Sequence, residues 1–347
     1  MKRAAKWLAS SLTAAAGLAA MAGSLPAQAA TRPQQQLVLY SAQGYDAAMA
    51  QAFQKATGIH VTLVDNSTGT IIAKIEAERS NPHWDVVWFD GDSTMQALDN
   101  QGMLLRNWTP ADVKNYTPLG RSLIARDKSY YPGGVTAAAA IAFNPKVLPP
   151  SQAPHTLQAL LSPKLRGMVA MNDPSISGPT YPFVAGVMQQ MGMKKGQQYF
   201  TALKANGLHV YRTNSVTLGA LLAGRAEVIL IQDSALISAK QQGSPIDIVY
   251  PKSGAYTLPD VLGINKQAPD MAAAKRFVQF VLSKQGQRVM LNPNNGGGDS
   301  YFNPVIKGMV PNKARQQSGI HWVRVNPIWA AHVENPLKTW FHDHVTA

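Results

Sequence analysis

The 347-residue chain contains no cysteine. That absence excludes a disulfide framework, a zinc finger, an iron–sulfur cluster and a thiol nucleophile at once. Charge is scarce too. Charged residues make up 15% of the chain and hydrophobic ones 46%, where soluble domains carry about 25% charge, so a coiled coil or a long disordered protein is excluded. Glycine (27) and proline (23) together stay below the low-complexity range of roughly 25–30%. No His-Glu-x-x-His, Gly-x-Ser-x-Gly or P-loop occurs. What remains is a globular chain long enough for two domains.

Cations exceed anions, 32 Lys and Arg against 19 Asp and Glu, for a formal charge of +13. They form no dense run, so nucleic acid is not an expected partner. A positive surface instead suits capture of anions by electrostatic steering. Lys2, Arg3 and Lys6 precede an apolar stretch from Trp7 to about Met21, and Ala27-Gln28-Ala29 places small residues where a signal peptidase reads. Residues 1–29 are expected to be a cleaved signal peptide. Gly17, Gly23 and Pro26 make the alternative, a membrane anchor, a poor spanning helix. Cleavage after Ala29 removes three cations, taking +13 to +10, and leaves a soluble protein expected in the periplasm, where a chain without thiols cannot mispair.

Residues 37–41 form a compact apolar run, an expected strand. Ala48, Met49, Ala52, Phe53 and Ala56 then recur at helical spacing up to Gly58. Residues 59–64 and 85–89 read as further strands, with helices over 71–79 and just before Gly102. The alternation restarts with strands at 167–171, 208–211, 227–231 and 246–250, and with helices over 181–191, 195–206 and 216–224. The expected fold is α/β, with two doubly wound domains joined by a two-crossing hinge and a ligand cleft between them. Residues 134–144 and 254–265 are extended and rich in small residues, which suits the crossings. Domain I is expected over 37–133 and 258–347, and domain II, inserted, over 134–257. Residues 272–291 predict one amphipathic helix.

In open α/β sheets ligands bind beyond the carboxyl ends of strands, where helix N-termini present free N–H groups. Four segments fall there: 40–43, 66–70, 90–93 and 173–180. They supply Tyr40, Ser41, Ser67, Thr68, Asp90, Ser175, Ser177, Gly178 and Thr180 as candidate ligand-binding residues. Small hydroxyls with free amides suit an oxyanion, although any one hydroxyl also serves as a helix cap. Asp233, at a strand end, could hold a ligand ammonium or cap the following helix. Tyr130 and Tyr131 invite a metal site, but strand neighbours point to opposite faces. Gly296-Gly297-Gly298 lacks a nucleotide-binding spacing and is expected to be a mobile loop. His342-Asp343-His344 lies at an end expected to fray. No catalytic residue, metal ligand or cofactor is assigned.

The segments Leu39-Tyr40-Ser41-Ala42-Gln43, residues 53–59, Trp84-Asp85-Val86-Val87-Trp88, Ala142-Phe143-Asn144-Pro145 and residues 273–287 resemble periplasmic solute-binding proteins of ABC importers, in the branch of ferric-iron and 2-aminoethylphosphonate binders. The resemblance implies hinge closure on a small solute and delivery to an ABC permease in the inner membrane, by a protein expected to be monomeric. Ferric binders of this kind tend to carry a histidine where this chain has Gly44. They carry a carboxylate where it has Thr70, and a tyrosine pair where it has Ser234-Ala235. Iron(III) prefers hard anionic oxygens or imidazole, so the expected solute is a small phosphonate or phosphate-bearing anion, with 2-aminoethylphosphonate as a candidate. A ferric-iron receptor is the alternative. A periplasmic phosphoester hydrolase and a ligand-sensing subunit of a membrane kinase are further readings.

Overall fold

The computed structural model describes residues 35–315 and 318–347. The expected signal peptide lies outside the described residues. The first lobe opens with β1 (Gln36–Ser41), α1 (Asp46–Thr57), β2 (His60–Asp65), α2 (Thr68–Ala77), β3 (Val86–Asp90) and α3 (Asp92–Asn100). Its strands β2, β1 and β3 lie parallel. β3 is buried at every position, as its unbroken apolar sequence requires. α1 turns Met49, Ala50 and Phe53 inward, and Phe53 meets Phe277 edge-on at 5.2 Å. The short α4 (Pro118–Ser122), capped by Thr117, leads into β4 (Tyr130–Ala137).

The chain then crosses to a second sheet. Ala138 and Ala139 connect β4 to β5 (Ala140–Phe143), and the second lobe continues with β6 (Val169–Asn172), α5 (Thr180–Met191), α6 (Met193–Ala205), β7 (His209–Tyr211), α7 (Asn214–Leu222), β8 (Val228–Ile231), α8 (Asp233–Gln241) and β9 (Asp247–Val249). The return is β10 (Ala255–Ile264). The larger sheet runs β11-β4-β10-β3-β1-β2, where β11 is Asn303–Pro304, with β12 (Trp322–Val323) on β10, and the smaller runs β7-β6-β8-β5-β9. Two α/β lobes joined by two crossings is the architecture expected from the alternating elements. The crossing strands break the parallel order: β10 is antiparallel to β3 and β4, and β5 to β8 and β9.

The rest is α9 (Met271–Leu282), α10 (Lys284–Met290), α11 (Pro293–Gly296), β11 (Asn303–Pro304), β12 (Trp322–Val323) and α12 (Pro327–Phe341). The single helix expected over 272–291 is two. Ser283 adopts an extended backbone and its hydroxyl caps the second helix through Gly286 N at 3.1 Å, a local bond that competes with helix continuation. α12 touches both lobes. Thr94 of α3 donates to Glu334 at 2.7 Å, while Phe341 packs edge-on against Phe200 of α6 at 5.4 Å. The end of the chain is docked rather than frayed: His342, Asp343 and His344 are exposed, but Val345 is buried. Tyr130 and Tyr131 enter separate hydrophobic clusters on the two faces of β4, as strand geometry requires.

Asp233 and Arg315 form an ion pair of 2.8 Å with both side chains wholly buried. The Asp233 carboxylate also accepts from Ala137 N at 2.9 Å, where the first crossing begins, and from the Tyr250 hydroxyl at 3.0 Å, where the second begins. It sits at the N-terminus of α8, where the helix field favours a negative charge. Removing one member of such a pair strands the other charge in the interior. Arg315→Leu should therefore destabilise the protein by about 3–5 kcal/mol in a urea titration; a loss under about 1 kcal/mol, the range of a surface pair, would remove the pair from its structural role.

Burial also pushes several carboxyls up: Asp260 to about 7, and Asp46 and Asp92 to about 6. Their folded pKa values lie above the unfolded value near 3.9, so between those limits the folded state binds more protons and stability falls as pH rises. The melting temperature of the ligand-free protein should be higher at pH 5 than at pH 8. The reverse order in a thermal scan would contradict the assignment of these groups.

Candidate functional site

Between the lobes lies a cavity of about 580 Å³, within the usual range for small-molecule sites. Segments following β1, β2 and β3 bound it from the first lobe, contributing Ala42, Gly44, Ser67, Thr68 and Asp90. The second lobe brings Ser177, Gly178 and Pro179 from the loop before α5, and Arg212 to Ser215 from the start of α7. Gln232 and the first turns of α8 form part of the floor, and Gly296, Gly298 and Asp299 close one side. Both lobes therefore offer the carboxyl ends of strands, the placement that open α/β sheets use for ligands.

Five candidate residues line this cavity: Ser67, Thr68, Asp90, Ser177 and Gly178. The other five sit off it. Tyr40 is buried in the first-lobe core and its hydroxyl donates to Glu78 at 2.8 Å. Ser41 is wholly buried, and its hydroxyl accepts from Gln43 N at 3.1 Å beneath the cavity floor. Ser175 is exposed, outside the cavity, and Thr180 is buried in the first turn of α5. Asp233 is held by Arg315, Tyr250 and Ala137, so its carboxylate has no face left for a ligand ammonium.

The expected mobile loop at 296–298 is instead part of the wall. Gly296 is buried in α11, and a side chain at Gly298 would press on the Ala235 backbone at 3.1 Å. Asp299 follows, accepting from Gly44 N at 2.6 Å. The lobes also touch at the α2 side of the cleft: Gly69 N donates to Ile176 O at 3.3 Å, and a Cβ on Gly178 would collide with the Thr68 hydroxyl. Glycine is required there by close approach.

The cavity is electrically lopsided. Arg212 is the one lysine or arginine among the described lining residues; it is exposed, and no described carboxylate pairs with it. Beside it, Thr213 caps α7 through Val216 N, so hydroxyls and amide N–H groups gather at this end. The opposite end is rich in acceptors. Asp90 accepts from Gln43 Nε2 at 3.1 Å and, across the lobes, from Gln232 Nε2 at 3.2 Å. Gln43 Oε1 is enclosed with no partner. Burial and then the neighbouring Asp299 push the Asp90 carboxyl well up, while the two amide donors oppose the shift. Burial raises Asp299 to about 6. An acceptor-lined pocket of this kind calls for an ammonium or hydroxyls from a ligand.

Arg212, Asn214, Gln232 and Asp299 were not among the sequence candidates. Arg212-Thr213 carried a usable signal, a cation directly before a cap residue at a strand end. Asp299 carried none, because it reaches the cleft from about 200 residues beyond Asp90 along the chain.

The chain matches the sequence profile of the bacterial extracellular solute-binding proteins over residues 48–319. It is 26% identical over 246 residues, 68% of each chain, to a Salmonella typhimurium protein whose name marks it as a candidate 2-aminoethylphosphonate-binding periplasmic protein. Its fold is similar to that of the periplasmic binding protein AfuA from Actinobacillus pleuropneumoniae with fructose-6-phosphate bound (TM-score 0.80, 21% identity, 90% of this chain and 99% of that one). It is likewise similar to iron-bound HitA from Pseudomonas aeruginosa (TM-score 0.76, 22% identity, 88% and 98%). The profile match spans most of the chain and agrees with the two-lobed fold and its central cleft: the protein belongs to the bacterial extracellular solute-binding family.

Proposed function

We propose that the protein is the periplasmic receptor of an ABC importer, closing on a small phosphonate or phosphate-bearing solute and handing it to the permease. One observation carries this: the cleft pairs a donor end at Arg212, Ser177, Gly178 and the start of α7 with an acceptor end at Asp90 and Asp299. The donor end suits an oxyanion. The acceptor end suits an ammonium, as in 2-aminoethylphosphonate, or the hydroxyls of a phosphate ester. The 580 Å³ cavity is roomier than a two-carbon aminophosphonate needs, which favours further closure on a small solute or a bulkier ester. Steering by the basic surface would speed capture.

The ferric-iron reading meets a steric obstacle. A Cβ at position 44 would lie 2.8 Å from the Gly296 carbonyl oxygen and 3.1 Å from Asp299 Oδ2, so the wall is built around a glycine where ferric binders carry histidine. The described lining residues include no tyrosine or histidine.

Calorimetric titration with 2-aminoethylphosphonate, fructose 6-phosphate and ferric citrate tests the reading. Saturable binding of an organophosphorus anion is expected. Iron binding with a visible charge-transfer band and no anion binding would overturn it. Arg212→Gln should weaken binding of the anion about ten-fold at low salt, and less at high salt, because the guanidinium is exposed and screened. An unchanged affinity would remove Arg212 from the site.

A further inference from the structure

A chain of side-chain amides, buried except for the half-buried Asn214, runs along the cleft from one end to the other. Gln43 Nε2 and Gln232 Nε2 each donate to one oxygen of Asp90, at 3.1 and 3.2 Å. Gln232 Oε1 in turn accepts from Asn214 Nδ2 at 3.2 Å. Asn214 Oδ1 accepts from Asn172 Nδ2 at 2.6 Å, and the same Nδ2 donates to Ser177 Oγ at 3.2 Å. Thr217 Oγ1 donates to Asn172 Oδ1 at 2.5 Å. Asn172 and Thr217 are wholly buried.

The two ends of an amide are told apart by their partners, and here one partner is decisive. The Thr136 hydroxyl donates to the Leu258 carbonyl at 3.4 Å, so its oxygen accepts from Gln232 Nε2 at 3.2 Å, the same nitrogen that donates to Asp90. Gln232 is thereby fixed with its nitrogen toward the first lobe, leaving its oxygen for Asn214. Asn214 must then present nitrogen to Gln232 and oxygen to Asn172. Asn172 presents nitrogen to Ser177. Because Ser177 Oγ already receives this N–H, its own proton is free to point into the cleft. The opposite sense would set the Gln232 oxygen against the carboxylate.

We infer that Asn172 is a positioning residue for anion selection: through Asn214 and Gln232 it transmits the acceptor character of Asp90 across the cleft and commits the Ser177 hydroxyl to donate to a bound oxyanion. This rests on the anion-binding reading above and adds a selecting element to it. An acidic residue at one end of the site thereby favours an anion at the other. Thr217, which does not touch the cleft, pins the relay by occupying the Asn172 oxygen.

Methylphosphonate serves as the probe, titrated calorimetrically against four chains: wild type, Asn172→Leu, Ser177→Ala and the double variant. If Asn172 acts through the Ser177 hydroxyl, Asn172→Leu costs about ten-fold in affinity alone, and less than about two-fold once Ser177 is alanine. The near-isosteric Thr217→Val keeps the core filled and should cost about three-fold, again only while Ser177 is present. Equal losses in both backgrounds would overturn the inference. If wild type fails to bind methylphosphonate, the anion-binding reading of the cleft falls. The sense of the relay is then still decided without ligand, by side-chain amide ¹⁵N resonances. Asp90→Asn should shift those of Asn172 and Asn214 as well as Gln232; a change confined to Gln232 would overturn the relay.

Discussion

The hydrogen bond from Gln232 Nε2 in one lobe to Asp90 Oδ2 in the other, at 3.2 Å, organises the cleft. Gln232 stands at the end of β8 in the second lobe and Asp90 at the end of β3 in the first. Their contact joins the two lobes across the cleft. The Gln232 N–H opposes, without cancelling, the burial that pushes the Asp90 carboxyl up. The bond is modest in energy, as it must be if the lobes are to part and close around a solute.

The stiffer constraint lies behind it. Asp233, one residue after Gln232, gathers Arg315 and both crossings into one buried knot. Motion of the lobes must leave that knot intact, because opening a buried ion pair is far more costly than breaking one neutral hydrogen bond. Adjacent residues on one strand end therefore divide the work: Gln232 meets the opposite lobe across the cleft, and Asp233 holds the hinge.

Much of this was legible in sequence. Apolar runs ending in Ser, Thr or Asp gave the strands, and helical spacing gave α1 and α9. Placing ligands beyond strand ends picked out Ser67, Thr68, Asp90, Ser177 and Gly178, which line the cavity. The failures share a cause. Asp233 satisfied the local pattern of a site residue, but its role is decided by Arg315, 82 residues away. Tyr40 and Ser41 precede the turn that faces the cleft and point into the core instead. Arg212 and Asp299 depend on long-range placement: β7 has three residues, too short for periodicity to show, and Asp299 arrives from the far end of the chain. Local chemistry proposes a site residue; tertiary partners decide whether its polar atoms are already taken.

The central claim is that one end of the cleft, around Ser177 and Arg212, receives an oxyanion. Tungstate, a heavy analogue of phosphate, tests it most directly in a crystal structure with anomalous scattering. The account predicts one strong peak within hydrogen-bond distance of Ser177 Oγ and the Arg212 guanidinium. A peak elsewhere on the protein, with none in the cleft, would contradict it.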